Sequence, residues 1–282
     1  MNEKIGEYWE DFFHQENHED NWWSRKKELC KKRSVSIARI RGEGHLYQEL
    51  RYGKTHQINY VLHLRMLMKQ GDKFYLEEQI TPYQFQLIKG SIVNHKKSQM
   101  YSVLETGSVK PNSLGRDLDK KRFSYDRLEA VKYANRWWNS YNPAYHKFDV
   151  DCTNYVSQSL FAGDAPMTGK PNRNKGWWYG DLTWSFSWSV AHSLRWYLSG
   201  SNTGLTAKEV EAATDLIPGD VICYDFEGDN KWDHSTIVVA KDNNEEPLVN
   251  AHTTNSKNRY WSYEDSTAWT EKIAYKFFRI GV

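Results

Sequence analysis

The sequence predicts an α+β protein built in two parts. Three observations carry that reading. Apolar and aromatic residues recur at helical spacing near the N-terminus and again around 126–138 and 152–160. Alternating apolar and polar residues follow these stretches, most clearly from Ile58 to Met68. Between the parts, residues 106–122 are rich in Gly, Ser, Asn, Lys and Asp and read as a linker. The expected division is 1–105, a linker over 106–122, and 123–282.

In the first part, Ile5, Tyr8, Trp9, Phe12, Phe13, Trp22 and Trp23 suggest one long helix from Ile5 to Cys30. Strands are expected around Val35–Ile40, over Ile58–Met68, and around Phe74–Leu76 after a Gly71-Asp72 turn. A further one follows Pro82, over Phe85–Ile88. A helix laid on a curved antiparallel sheet buries both apolar faces. This layout is similar to cystatin-like or nuclear-transport-factor-like (NTF-like) units.

The second part opens with a helix at Asp126, where Asp126 and Glu129 stand at capping-box spacing. Another helix starts after Asp151 and stops at Gly163. A Gly/Asn/Lys-rich loop over 163–176 leads to an aromatic stretch that turns helical from Trp188 to Leu198. Strands over 220–226, 234–240, 248–253 and 273–280 close an antiparallel sheet.

Composition narrows the function classes. No apolar run approaches the roughly 18 residues of a membrane span, and the first residues have no signal-peptide core. Three cysteines, Cys30, Cys152 and Cys223, suit neither a disulfide framework nor a zinc site. No phosphate loop or dinucleotide fingerprint is present, so no cofactor is expected. His14 and His18 stand four apart without the glutamate of a zinc-protease motif. Asp225, Glu227, Asp229 and Asp233 resemble a calcium loop, but the glycine is misplaced and Thr236 stands at the twelfth position, where a glutamate is needed, so a polar loop and no metal is expected. Residues 1–122 hold 22 Lys+Arg against 16 Asp+Glu, a surplus concentrated at Arg25-Lys26-Lys27 and Lys31-Lys32-Arg33. Such a run can face an anionic polymer, but a short one is more often a solvated helix end, and nucleic acid is not the expected partner. The first part is read as a docking or dimerisation unit. Cytoplasm and spore or cell surface both remain compatible.

The chemistry gathers in the second part. Cys152 stands in the first turn of its helix, where the dipole favours a thiolate and a lowered pKa. Asp151, Thr153 and Asn154 give it polar company. A cysteine nucleophile needs a base and a group that orients the base. His234 opens a strand, and His252 and Asn250 share a face of the next one. A hairpin loop centred on Asn243 would set His234 directly opposite His252.

Asp151-Cys152-Thr153-Asn154-Tyr155-Val156-Ser157-Gln158, Trp177-Trp178-Tyr179, Trp188 and Asp233-His234-Ser235 together resemble the bacterial putative-amidase-domain family. That family is itself similar to the papain-like NlpC-type cell-wall cysteine peptidases. The resemblance covers about the last 160 residues and implies a papain-like α+β domain. It implies Cys152 as nucleophile, His234 as base and His252 as the orienting residue, with Asn250 as the alternative. Asp151, Asn154, Trp188 and Asp233 would support the site or the substrate. NlpC-type enzymes commonly have Ser-Gly after the cysteine, where this chain has Thr153-Asn154. The expected function is amide hydrolysis on peptide or peptidoglycan-type bonds, with Tyr145 or His146 as guesses for a second oxyanion donor. The alternatives are an inactive binding module on the same fold and an acyl transferase using the same triad. Ten of the 13 tryptophans lie at or after Trp137, which suggests an aromatic groove for a peptide or cell-wall fragment.

Overall fold

A computed structural model of the chain describes residues 2–14, 21–53, 55–98, 123–180 and 183–281. The architecture is α+β, and its strand pairings are antiparallel. Two compact units form. The first comprises Met1–Tyr101 with Thr254–Ser256 and Glu264–Thr267, and the second Ser102–Thr253, Lys257–Tyr263 and Ala268–Val282. The expected linker over 106–122 falls outside the described residues. Among the described residues no helix is long and apolar enough to cross a membrane.

In the first unit, α1 (Asn2–His14) and α2 (Trp22–Lys32) precede the long strands β1 (Val35–Tyr52), β2 (Thr55–Gln70) and β3 (Lys73–Ile88) and the short β4 (Ser91–Lys97). Two helices therefore stand where one was expected. The second starts afresh because Asn21 caps it: its side chain accepts from Trp23 and Ser24 N–H, and Ser24 Oγ accepts from Asn21 N–H. Gly71-Asp72 makes the expected tight turn between Gln70 and Lys73, with Gly71 at φ 60°. The strand expected after Pro82, over Phe85–Ile88, instead runs through the proline, which sits inside β3 opposite Val61. In an antiparallel strand a residue's N–H and C=O point the same way. The Pro82 carbonyl accepts from Ser98, just past the end of β4, so its missing N–H breaks no β2–β3 bond.

Ile5 and Trp9 of α1 pack on Ile58, Tyr60, Leu62 and Phe85. Trp9 Nε1 donates to Tyr60 Oη at 2.8 Å, and Tyr60 Oη lies 2.7 Å from His95 Nε2. Burial pushes His95 down to about 4, so its ring is neutral and Nε2 can accept. The basic run of α2 is open only in part: Lys27, Lys31 and Lys32 are exposed, but Lys26 and Arg33 are buried. Lys26 is fully buried, with Nζ 2.5 Å from Glu77 and 3.4 Å from Asp265. Lys32 pairs with Glu264, and Arg33 is buried and donates to the Tyr75 hydroxyl.

The second unit contains α3 (Arg127–Trp137), α4 (Cys152–Ala162), α5 (Phe186–Ser189) and α6 (Ala191–Gly200). Its strands are β5 (Ala207–Val210), β6 (Val221–Asp225), β7 (His234–Lys241), β8 (Pro247–Ala251), β9 (Asn255–Tyr260) and β10 (Ala274–Ile280). They lie in the order β9-β8-β7-β6-β10-β5. The expected helix over Trp188–Leu198 is divided between α5 and α6, with Val190 extended between them. One face of the sheet packs Val221, Cys223, Ile237 and Val239 against Tyr155, Val156 and Leu160 of α4. The other packs Ile222, Tyr224 and Val238 against Phe226, Val249 and Tyr263.

Gly163 ends α4 where the chain passes α3. A Cβ there would lie 2.5 Å from Tyr125 and 2.7 Å from the Asp126 carbonyl oxygen. Gly163→Ala should therefore force the two helices apart and cost about 1–3 kcal/mol. Urea unfolding of the two proteins measures this, and a loss below a few tenths would show that the junction can give.

Candidate active site

Helix α4 is unusual for its sequence, since every residue from Cys152 to Leu160 is buried. A helix buried on all sides must pair its polar groups internally, and this one does. Thr153 Oγ1 lies 3.3 Å from Ser235 Oγ, and Gln158 accepts from the Tyr133 hydroxyl. Ser157 accepts from Trp177 Nε1 and Ser159 donates to the Tyr155 carbonyl. Asn154 Oδ1 accepts from Trp188 Nε1 at 2.8 Å, and its amide donates to Asp151 and to the His146 carbonyl. The polar residues around Cys152 thus serve the packing of α4. Trp177, Trp178 and Trp188 are core, not groove lining. Half-buried rings remain at Tyr145, Phe148, Tyr179 and Trp184, with the more exposed His146 stacked on Trp184 at 5.0 Å.

Cys152 is the first residue of α4 and only 2% exposed. Burial pushes its thiol up, against the lowering expected from its helix position. The Ser235 backbone and the Thr153 and Thr253 hydroxyls hydrogen-bond to it and pull the other way. Thr253 holds a left-handed backbone at φ 81°, a strained state for a β-branched residue. Among the described residues no acceptor is recorded for the backbone N–H groups of Cys152, Thr153 and Asn154.

The hairpin register differs from expectation by one residue. β7 pairs Ile237 with Asn250 and Val238 with Val249, and the ladder shifts between Val238 and Ala240. Carried on, this pairing sets Ser235 beside His252 and His234 beside Thr253. A slip of one residue moves a side chain to the other face. His234 accordingly meets Tyr224, Phe226 and Tyr263, on the face of β7 away from α4, and its Nε2 lies 3.3 Å from Tyr263 Oη. Burial first, then the nearby Arg259 charge, pushes His234 down to about 3. No hydrogen bond joins it to Cys152.

His252 stands on the α4 face. Its ring stacks on Tyr155 at 4.1 Å, its Nδ1 lies 2.7 Å from Asp151 Oδ2, and its Nε2 lies 2.8 Å from the Trp137 carbonyl. It does not orient His234. Asn250 bonds to Asn135 and accepts from Asn258 N–H, also away from His234. Asp233 accepts from Phe226 N–H and is pushed up to about 6, by burial first and then by Glu227 and Asp225. Asp225 closes the loop by accepting from Gly228, Asp229 and Asn230 N–H. Tyr263, Thr253 and Ser235 were missed as site residues. Only Ser235 had a signal, its place in Asp-His-Ser.

The two most strongly depressed imidazoles, those of His95 and His234, set a pH dependence. Each titrates near 6.5 when unfolded, but near 4 (His95) or 3 (His234) when folded. The unfolded chain therefore binds more protons in between, so stability falls as pH drops from 6.5 toward 4. Asp233, raised to about 6, and Asp220, raised by its burial, oppose this in the lower part of the range. Urea midpoints across that range should decline, and less steeply in His95→Gln. A flat profile would contradict the assignment.

A family model described as "Putative amidase domain" matches residues 124–278. The chain is 45% identical over 263 residues to the uncharacterized protein YhbB of Bacillus subtilis (strain 168), covering 91% of this chain and 85% of the relative. It is 31% identical over 143 residues to the uncharacterized protein YjcM of the same organism, covering 48% of this chain and 32% of the relative. No solved structure gives a significant match.

Proposed function

The chain belongs to the putative-amidase-domain family, and on that premise we propose that it is a cysteine-dependent amide hydrolase with Cys152 as nucleophile. The observation that carries this reading is the placement of Cys152 at the start of α4, beside backbone N–H groups that no cap has taken. Such groups stabilise a thiolate and then the oxyanion of a tetrahedral intermediate. Sγ attacks the amide carbonyl, the C–N bond breaks as the amine takes a proton, and a thioester remains. Water then cleaves the thioester, releasing the acid and restoring the thiol.

His234 is the proposed base. Its ring is neutral and its Nδ1 has no partner among the described residues, whereas both nitrogens of His252 are engaged. The ring lies on the face of β7 away from α4, so this role requires the first residue of β7 to leave the sheet and change faces when substrate binds. The papain-like arrangement of the second unit and the cystatin-like or NTF-like layout of the first belong to the same proposal. So do the division at 106–122 and a peptide or peptidoglycan-type substrate lying along Tyr145, His146, Tyr179 and Trp184.

A second reading has its own support. A buried Cys152 with no base in contact suits a binding module without turnover. Incubation with digested cell wall and with a peptide library, followed by mass spectrometry, separates the two. New amine and carboxyl termini support the hydrolase, and retention of fragments without new termini supports the binding module. Transfer to an added amine would mark an acyl transferase.

A further inference from the structure

Asp151 precedes α4 as its N-cap, yet its side chain makes no capping bond and its backbone (φ −104°, ψ 3°) is not the extended form usual there. The carboxylate is turned outward and fully engaged. Oδ1 accepts from Phe148 N–H at 3.0 Å and from the Asn154 amide at 2.9 Å, and Oδ2 faces His252 Nδ1 at 2.7 Å. The Trp137 carbonyl can only accept, so His252 Nε2 carries a hydrogen toward it, and Nδ1 is left to hydrogen-bond the carboxyl group. His252 is 2% exposed and Asp151 1%, so neither finds water as a substitute partner.

We propose that His252 is a positioning residue that holds the Asp151 carboxylate away from the start of α4. Left to itself, an aspartate at an N-cap turns its oxygens onto the first-turn N–H groups. There it would occupy the donors beside Cys152 and set a negative charge against the thiolate and the later oxyanion. The pair therefore gives up a helix cap so that the donors stay open to an anion formed at Cys152. This rests on the proposed role of Cys152 for its catalytic meaning. The effect on the thiol itself does not.

The test uses the full chain and reads the iodoacetamide labelling rate of Cys152 against pH, by peptide mapping, alongside kcat and KM on any amide substrate found. His252→Phe should lower Cys152 labelling at pH 8 about tenfold, equivalent to one unit of thiol pKa, and lower kcat more than KM. Adding Asp151→Ala to His252→Phe should restore most of the labelling, because alanine has neither a charge nor an oxygen to take the first-turn N–H groups. A simple structural brace would instead lose further with the second change. If His252→Phe does not fold, His252→Gln, which keeps one donor for Asp151, should show a smaller loss with the same reversal. An unmoved labelling profile, or a double variant slower than the single one, overturns the proposal. The expected labelling pattern without amide turnover in any form would sustain it and defeat the hydrolase reading.

Discussion

Cys152→Ala is expected to lower amide turnover by about 10⁴-fold or more while the protein stays folded. The sulfur contacts two hydroxyls and one backbone group, so removing it opens a small space and costs about 1 kcal/mol. Cys223 is the internal control. It is equally buried, its thiol is pushed up to about 12 by that burial, and it stands in the middle of β6 rather than at a helix start. Cys223→Ala should cost similar stability and leave turnover close to the native level. Steady-state kinetics and urea unfolding of both variants decide the matter. Equal loss of turnover in the two would mean that packing, and not a nucleophile, was removed.

Lys26→Met should destabilise the first unit by about 3–5 kcal/mol, because it strands the Glu77 and Asp265 carboxylates in the interior. Burial works against the Lys26 charge, but the two carboxylates outweigh it and hold the ammonium above its usual range. A cation so raised contributes its full stabilisation below its ordinary value of 10.5, and the contribution is lost only as pH rises through the higher folded value. The native and variant unfolding free energies should therefore stay separated from pH 7 to 10 and converge above that. A difference under 1 kcal/mol at pH 7 would show that Lys26 is not the buried partner described.

The α+β class and most long elements were legible because apolar spacing and turn residues repeat over many positions. Gly71-Asp72, Asp126, Asp151 and Gly163 mark their boundaries in the sequence as they do in the fold. The misses have local causes. Asn21 restarts the N-terminal helix, but a capping box inside an aromatic run is easily read through. Pro82 survives within β3 because its nitrogen points past the end of β4, which depends on the partner's length. The short strands β5 and β9 carry mixed polar residues with no clear alternation. The site suffered most from one irregularity: the register shift between Val238 and Ala240 puts His234 and His252 on opposite faces of the hairpin, and no residue there announces it. Lys26 looked like part of a solvated basic run because its partners lie 51 and 239 positions away.

The claim that Cys152 forms a covalent intermediate is tested most directly by trapping it. The protein is mixed with an activated ester or amide, quenched in acid within a turnover, digested, and mapped by mass spectrometry. An acyl group on the peptide carrying Cys152, absent from those carrying Cys30 and Cys223 and lost on brief incubation at neutral pH, is the predicted result. Continued turnover with no adduct on Cys152, or the same turnover in Cys152→Ala, would contradict it.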